Sequence, residues 1–214
     1  MRIGILGSGL MGGKLGTIFA RAGHEVVFSY ARTRKKLEKL AREAGGNARA
    51  GTPAEAARDA DALLLAVHWS RVDDVVKQAG DLSNKVIVSC SLPMNDDDTA
   101  LAVGLKSSGA EKLAKKLRKA RLVSAFNTIP SEVLFDVFEA RGKAKPSLVY
   151  CGDDAGAKEI AAQLIRDAGF DPIDAGPLET ARYTEPFALL VARLAYEGEG
   201  GPELAYRFEH FPHT

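Results

Sequence analysis

Short apolar runs alternate with longer segments of helical spacing along most of the chain. The runs have the length and composition of buried strands, and they cover residues 2–6, 25–29, 62–66, 85–89 and 121–125. The segments between them are rich in Ala, Leu, Lys and Arg, which lose little side-chain conformational freedom on entering a helix. These segments cover residues 10–22, 33–44, 53–60, 70–79 and 109–120. Because parallel strands need a crossover connection, this alternation predicts an α/β fold with a mostly parallel sheet.

The same alternation continues beyond residue 146, with strand-like and helix-like segments at residues 147–151, 155–168, 171–175 and 180–196. We therefore predict a Rossmann-type, doubly wound sheet over residues 1–146. Residues 147–214 are expected to form a small C-terminal α/β extension packed on the same domain, so that the chain can count as one domain.

Local signals mark helix starts and irregular segments. Thr52 offers a capping hydroxyl immediately before a proline at the first helical position, and Ser131 is a second candidate start. Residues 141–146 are expected to form a loop. The tail, residues 198–214, is expected to be irregular or a short docked segment.

Composition excludes several classes of protein. The 214 residues carry 29 Lys and Arg against 28 Asp and Glu, so no overall field attracts nucleic acid or an anionic membrane. The longest apolar stretches fall short of the roughly 20 residues that cross a bilayer. Cys90 and Cys151 lie too far apart for a CxxC metal site or a disulfide framework and are expected to be buried thiols. With no secretory leader at the first strand, these features predict a cytoplasmic protein with no resident metal.

The most specific local signal is a glycine-rich turn between the first strand and the first helix. Its sequence is Gly7-Ser8-Gly9-Leu10-Met11-Gly12. In a GxGxxG turn the first glycine allows the tight bend, the second lets backbone N–H groups approach a pyrophosphate, and the third allows the helix to pack on the strand. The helix N-terminus supplies the positive end of its dipole. Since a strand precedes this motif and a βα unit follows it, we expect these six residues to bind a dinucleotide.

The end of the second strand indicates which dinucleotide is bound. NAD-selecting sites normally present a carboxylate to the adenosine ribose, and none follows Ser29 here before Glu38. Arg can fork two N–H donors onto a 2′-phosphate and stack on adenine, so the sequence favours NADP. The expected contacts on this loop and at the end of the next strand are Ser29, Tyr30, Arg32, Lys36, Ala66, Val67 and His68. Alternatively, some of the basic residues from Arg34 to Lys39 form only the solvated face of a helix.

The sequence resembles the coenzyme F420-dependent NADP oxidoreductases over nearly its whole length. The resemblance rests on the glycine-rich turn and on segments 123–130 (Val-Ser-Ala-Phe-Asn-Thr-Ile-Pro), 151–154 (Cys-Gly-Asp-Asp) and 174–178 (Asp-Ala-Gly-Pro-Leu), with Arg182 and Glu185 following. It implies a homodimer in which hydride passes directly between nicotinamide C4 and C5 of the deazaflavin. Such a transfer asks mainly for positioning, so no catalytic residue is assigned.

The resemblance also implies where the acceptor binds. Ligands of an open α/β sheet lie beyond the carboxyl ends of its strands, and this rule, with the family blocks, assigns Asn127, Thr128, Cys151 and Arg182 to the substrate. Arg182 can instead pair with Glu179 or Glu185. Asn127, Pro186 and Ala188 depart from the family, which can carry His and hydroxyl residues there, so the NADP side matches better than the F420 side.

Three functions are compatible with these features. The first is hydride transfer between NADP(H) and coenzyme F420 or a flavin-like acceptor, with a small-molecule redox partner. The second is reduction of a carbonyl or imine, although relatives of that kind usually append a long helical domain for which residues 147–214 leave little room. The third is an NADP-binding sensor without chemistry, because fold does not fix function.

Overall fold

The computed structural model describes residues 1–140, 142–143 and 145–211. Its eight strands are β1 (Arg2–Leu6), β2 (Glu25–Ser29), β3 (Ala48–Ala50), β4 (Ala62–Leu65), β5 (Val86–Ser89), β6 (Arg121–Ser124), β7 (Ser147–Gly152) and β8 (Asp171–Asp174). The α-helices are α1 (Leu10–Arg21), α2 (Arg34–Ala44), α3 (Pro53–Arg58), α4 (Val72–Ala79), α5 (Gly109–Lys116), α6 (Leu134–Glu139), α7 (Ala155–Asp167) and α8 (Ala181–Tyr196). Short 3-10 turns occupy Trp69–Arg71 and Leu178–Thr180.

The strands form one sheet in the order β3-β2-β1-β4-β5-β6-β7-β8. Every neighbouring pair is parallel except β6 and β7, which are antiparallel. The first six strands therefore have the doubly wound Rossmann order, whose switch point lies between β1 and β4. This confirms the α/β fold class predicted from the sequence.

Helices cover both faces of the sheet and enclose two apolar cores. The core on one face is built around α1, α6 and α7, and the core on the other face around α3, α4 and α5. Every residue of β4 and β5 is buried, as expected of central strands covered on both sides. Helix α1 packs closely on β2 because Gly16 has no side chain. A Cβ at this position would overlap the ring of Phe28.

Two local predictions have different outcomes. Thr52 caps α3 as predicted: its hydroxyl accepts from the N–H of Glu55, whose carboxylate accepts from the N–H of Thr52 at 2.7 Å. The helix start predicted at Ser131 is wrong, because α6 begins at Leu134 without a side-chain cap. The Ser131 hydroxyl donates to the Glu132 carboxylate instead, at 3.2 Å.

Strand β3 was not predicted from the sequence. Its three residues, Ala-Arg-Ala, form no apolar run, and it pairs only with β2 at the edge of the sheet. An edge strand needs no continuous apolar face, so hydrophobic patterning does not detect it.

The C-terminal tail lacks helix and strand over residues 203–211 and is docked on β7. The N–H of Ser147 donates to the carbonyl of Tyr206 at 2.8 Å, and the N–H of Phe208 donates to the Ser147 hydroxyl at 2.9 Å. The Tyr206 and Thr128 hydroxyls share a hydrogen bond of 2.7 Å. Residues 212–214 of the predicted tail, and Arg141 and Ala144 of the predicted loop, lie outside the described residues.

No helix in the described part of the chain combines the length and apolar character that crossing a bilayer requires.

Candidate functional site

The glycine-rich turn leaves open space at one of its three glycines. Gly7 has a φ of +114°, and a Cβ there would lie 2.5 Å from the carbonyl oxygen of Ala66. A Cβ at Gly12 would overlap the carbonyl oxygen of Gly7. At Gly9, in contrast, a Cβ would have no heavy atom within 4 Å. Protein packing therefore explains why Gly7 and Gly12 lack side chains, whereas at Gly9 the empty space is available to a ligand.

The N-terminus of α1 is suited to an anion. Gly9 is its N-cap, no side chain caps this end, and its first turn holds no acidic residue. The exposed N–H groups and the positive end of the helix dipole favour a negatively charged group at this position. Both features are those of a pyrophosphate-binding turn.

A cleft of about 760 Å³ opens at this turn, along the carboxyl ends of β1, β2 and β4. It is lined by Gly7, Ser8, Gly9, Leu10, Tyr30, Ala31, Arg32, Lys36, Ala66, Val67, His68 and Arg71. The structure thus brings most of the predicted cofactor residues together in one cavity. Met11, Gly12 and Ser29 are the predicted residues that do not line it.

These three residues support the turn from below. Ser29 is fully buried, and its hydroxyl donates to the carbonyl of Ile5 at 2.6 Å, so the predicted contact between this side chain and the cofactor is corrected. Met11 packs against the core, and Gly12 is buried under the bend. The side chain of Ser8 is also buried and donates to the carbonyl of Ser29 at 2.8 Å, which leaves only its backbone for a ligand.

The cleft is positively charged. Among the residues that line it are three exposed cations, Arg32, Lys36 and Arg71, and no carboxylate. The neighbouring cations Arg34 and Lys39 pair with Glu38 and Glu43 one helical turn away and form the solvated face of α2. Arg71, which lies on the 3-10 turn after β4, is not among the residues predicted from the sequence. Because ligands of an open α/β sheet lie beyond the carboxyl ends of its strands, the position of Arg71 shortly after β4 could have indicated it.

Tyr30 connects the turn to the helix that follows β4. It has a φ of +57°, unusual for a residue with a side chain. Its carbonyl accepts from the N–H of Ser8 at 3.2 Å, and its hydroxyl donates to the carboxylate of Asp74 on α4 at 2.6 Å. This hydrogen bond holds the pKa of Asp74 below its usual value, while burial and the same bond raise the pKa of Tyr30.

His68 connects the wall of the cleft to the long segment between β5 and α5. One ring nitrogen, Nδ1, lies 2.8 Å from the Ser70 hydroxyl, and the other, Nε2, lies 2.9 Å from the carboxylate of Asp98. The backbone around Asp98 is held by Asn95, whose side-chain oxygen accepts from the N–H groups of Thr99 and Ala100. His68 therefore lies where the predicted cofactor site meets this segment.

On the acceptor side, burial keeps two of the four predicted substrate side chains from a ligand, and a third is paired within the protein. Thr128 and Cys151 are fully buried, and burial raises the pKa of the Cys151 thiol to about 12. Arg182 donates two hydrogen bonds to the Glu111 carboxylate, at 2.7 and 3.0 Å, and contacts Glu179 at 3.4 Å. Each of these side chains is occupied by the protein itself. Asn127 is half-buried beyond the end of β6, and its amide donates to the Ser124 hydroxyl at 3.3 Å.

The family of coenzyme F420-dependent NADP oxidoreductases matches residues 2–93 of this chain. The match covers less than half of the chain. The resemblance inferred from the sequence is thereby confirmed, and the matched region contains every residue that lines the cleft. The predicted acceptor residues lie outside it. Within this matched region, the open space at Gly9 and the three cations lie in one cleft.

Two curated relatives are similar at the level of sequence. The chain is 27% identical to the F420-dependent NADP reductase of Methanocaldococcus jannaschii over 154 residues, 68% of each protein. It is 28% identical to metalloreductase STEAP3 of Rattus norvegicus over 193 residues, 88% of this chain. The chain spans only 36% of the length of that metalloreductase.

Solved structures share the fold. A candidate F420-dependent NADP reductase from Arthrobacter sp. FB24 superposes with a TM-score of 0.85 at 23% identity, covering 98% of this chain and 100% of that one. A reductive aminase from Aspergillus terreus in complex with NADPH superposes with a TM-score of 0.64 at 19% identity, covering 89% of this chain and 59% of that one. At these identities the likeness extends to the fold alone.

Proposed function

We propose that this protein binds NADP(H) in the cleft at the glycine-rich turn and transfers a hydride between it and coenzyme F420 or a flavin-like acceptor. The observation that carries the proposal is the combination of open space at Gly9 with three cations in a cleft lined by no carboxylate. A pyrophosphate fits over the N-terminus of α1. Arg32 and Lys36 lie at the end of β2, where a 2′-phosphate distinguishes NADP from NAD.

The residues of the chain contribute binding and orientation. When bound, the nicotinamide would supply the hydride chemistry. The backbone of residues 7–10 and the cations of the cleft fix the phosphate end of the dinucleotide. Asn127 is the predicted substrate residue that keeps a partly exposed side chain beyond β6, and we assign it to the acceptor side.

Turnover tests the proposed reaction directly. The purified protein should oxidise NADPH in the presence of F420, FMN or riboflavin, followed at the absorbance band of the deazaflavin or flavin. Binding of NADPH without turnover with any of these acceptors would contradict the proposed transfer and favour an NADP-binding sensor.

Substitution of Arg32 tests the cofactor assignment. Arg32→Ala should weaken NADPH binding by about 1.5 to 3 kcal/mol, the size of a hydrogen bond to a charged group, and leave NADH binding unchanged. Arg34→Ala is the matched control, because Arg34 pairs with Glu38 and does not line the cleft. Equal losses for NADPH and NADH in Arg32→Ala would contradict a contact with the 2′-phosphate.

A carbonyl or imine reductase is the second candidate function. The NADPH-bound reductive aminase shares the fold, and this chain spans 59% of its length. NADPH oxidation by a cyclic imine or a ketone, with none by F420 or flavins, would support this alternative over the first.

We further propose that the protein is a homodimer. On α8, Leu190 and Leu194 are 53% and 55% exposed, one helical turn apart, whereas Val191 between them is buried. Exposed apolar residues at this spacing are suited to a contact between subunits. Sedimentation equilibrium should give twice the mass of the chain, and Leu190→Glu should give the monomer.

A further inference from the structure

Two segments that are distant in sequence line the cleft, and they follow the two strands that flank β1. Tyr30 and Arg32 belong to the loop after β2, and Arg71 belongs to the turn after β4. Neither segment is part of the glycine-rich turn. The loop after β2 and the turn after β4 therefore both contribute cations to the cleft.

A single side-chain hydrogen bond joins the two loops. The Tyr30 hydroxyl donates to Asp74 at 2.6 Å, and Asp74 lies in the first turn of α4, the helix whose N-cap is Arg71. Because Arg71 and Asp74 share this turn, the bond sets the distance between the Arg71 backbone and the Tyr30–Arg32 loop. The Asp74 carboxylate also accepts a hydrogen bond from the side-chain amide of Gln78 at 3.0 Å, which orients it.

The backbone at Tyr30 supports a positioning role. A φ of +57° costs free energy for a residue with a Cβ and persists only where surrounding contacts impose it. These contacts are the hydrogen bond from the Ser8 N–H to the Tyr30 carbonyl and the bond from the Tyr30 hydroxyl to Asp74. Tyr30 thus fixes the loop that carries Arg32 relative to both the phosphate turn and α4.

We propose that Arg71 is a further specificity-determining cation for the 2′-phosphate end of NADP, and that Asp74 is a positioning residue that acts by holding Tyr30. This inference rests on NADP binding in the cleft as proposed above. It adds that the charge that selects NADP comes from two loops, which the Tyr30–Asp74 bond holds together.

Calorimetric titration with NADPH, NADH and 2′,5′-ADP tests the role of Arg71. In Arg71→Ala we expect NADPH and 2′,5′-ADP to bind about tenfold more weakly, as for loss of a charge-assisted hydrogen bond, with little change for NADH. Lys77→Ala, on the exposed side of the same helix, is the control and should change none of the three. Unchanged binding of 2′,5′-ADP in Arg71→Ala would overturn the role of Arg71.

The same titrations test the positioning role of the Tyr30–Asp74 hydrogen bond. Tyr30→Phe keeps the ring and loses the hydrogen bond, and it should weaken NADPH and 2′,5′-ADP about five- to tenfold. Asp74→Ala should have the same effect, and Asp74→Asn, which keeps an acceptor oxygen, should restore most of the affinity. Asp73→Ala is the matched control, because the neighbouring Asp73 pairs with Lys116 and does not face Tyr30.

Three further results separate the possible failures. If the wild-type protein did not bind NADPH, the proposed function itself would fail. The wild type could bind NADPH, and Tyr30→Phe and Asp74→Ala could bind it with the same affinity as the wild type at unchanged melting temperature. This result would refute only the positioning role of the Tyr30–Asp74 hydrogen bond. If Asp74→Ala were too unstable to titrate, Tyr30→Phe with its ring intact would decide the question.

Discussion

The carboxylate of Glu185 on α8 accepts a hydrogen bond from the backbone N–H of Gly109, the first residue of α5, at 2.9 Å. It also accepts from the N–H of Ala110 at 3.0 Å, and the residue is 2% exposed. A side chain of the C-terminal helix thus caps a helix that lies far from it in the sequence. The Arg182–Glu111 pair joins the first turns of the same two helices.

The burial of Glu185 predicts a pH dependence of stability. Burial raises its pKa in the folded state above the unfolded value, so folding favours the protonated carboxyl. The stability from this preference is present below the unfolded pKa and is lost as the pH rises through the raised folded pKa. Glu185→Gln cannot ionise. We therefore expect the free energy of unfolding of the wild type, relative to Glu185→Gln, to decrease as the pH rises from 4 to 8.

Urea unfolding across this pH range measures the effect. Glu197→Gln is the control, since Glu197 is exposed at the end of the same helix and its substitution should leave the pH profile unchanged. A difference between wild type and Glu185→Gln that did not vary with pH would show that burial does not shift this carboxyl.

Two glycines of the same turn should respond oppositely to alanine. Gly9→Ala has room for its methyl group and should keep the melting temperature, yet the methyl occupies the space of the pyrophosphate and should weaken NADPH about tenfold or more. Gly12→Ala forces a methyl onto the Gly7 carbonyl and should destabilise the fold by about 1 to 3 kcal/mol. Thermal melts and NADPH titrations distinguish the two. Normal NADPH affinity in Gly9→Ala would argue against a pyrophosphate at this position.

Arg182 should matter for stability and not for cofactor binding. Arg182→Ala removes two hydrogen bonds to Glu111 and should lower the free energy of unfolding more than loss of an exposed ion pair on the same helix does. Arg193→Ala, which breaks an exposed pair with Glu197 on the same helix, should cost less than about 1 kcal/mol. A raised KM for the acceptor at unchanged stability would restore the substrate role that the resemblance implied for Arg182.

The docked tail should depend on the hydroxyl of Tyr206. Tyr206→Phe loses the hydrogen bond with Thr128 and should lower the free energy of unfolding by about 1 kcal/mol. It should also speed cleavage at Arg207 by trypsin, because the segment is held on β7 by Tyr206. Tyr183→Phe, at an exposed position of α8, serves as the control. Equal cleavage rates in the two variants would mean that other contacts hold the tail.

Much of the fold follows from local patterns. Seven of the eight strands were predicted within one residue at either end, because strands in a covered parallel sheet are short apolar runs. Strand β3 was missed because its three residues, Ala-Arg-Ala, form no apolar run. The predicted start of α6 was wrong because the Ser131 hydroxyl bonds to its neighbour instead of capping the helix.

The site was predictable only in part. The glycine turn carries its signal within six residues, and Arg32 and Lys36 follow directly from the end of β2. Ser29 looked equally suitable, yet its side chain points under the turn to Ile5. Successive residues of a strand face opposite sides of the sheet, and the packing around the strand decides which side meets the ligand.

By itself the sequence determined the α/β class, and it predicted the glycine-rich turn and a preference for NADP, since each of these depends on residues close together along the chain. The tertiary structure decided which polar side chains remain available. It paired Arg182 with Glu111, buried Cys151 and Thr128, and brought Arg71 to the cleft. The physical reason is that hydrogen-bond partners and burial are set by contacts between distant segments, which exist only once the helices have packed on the sheet.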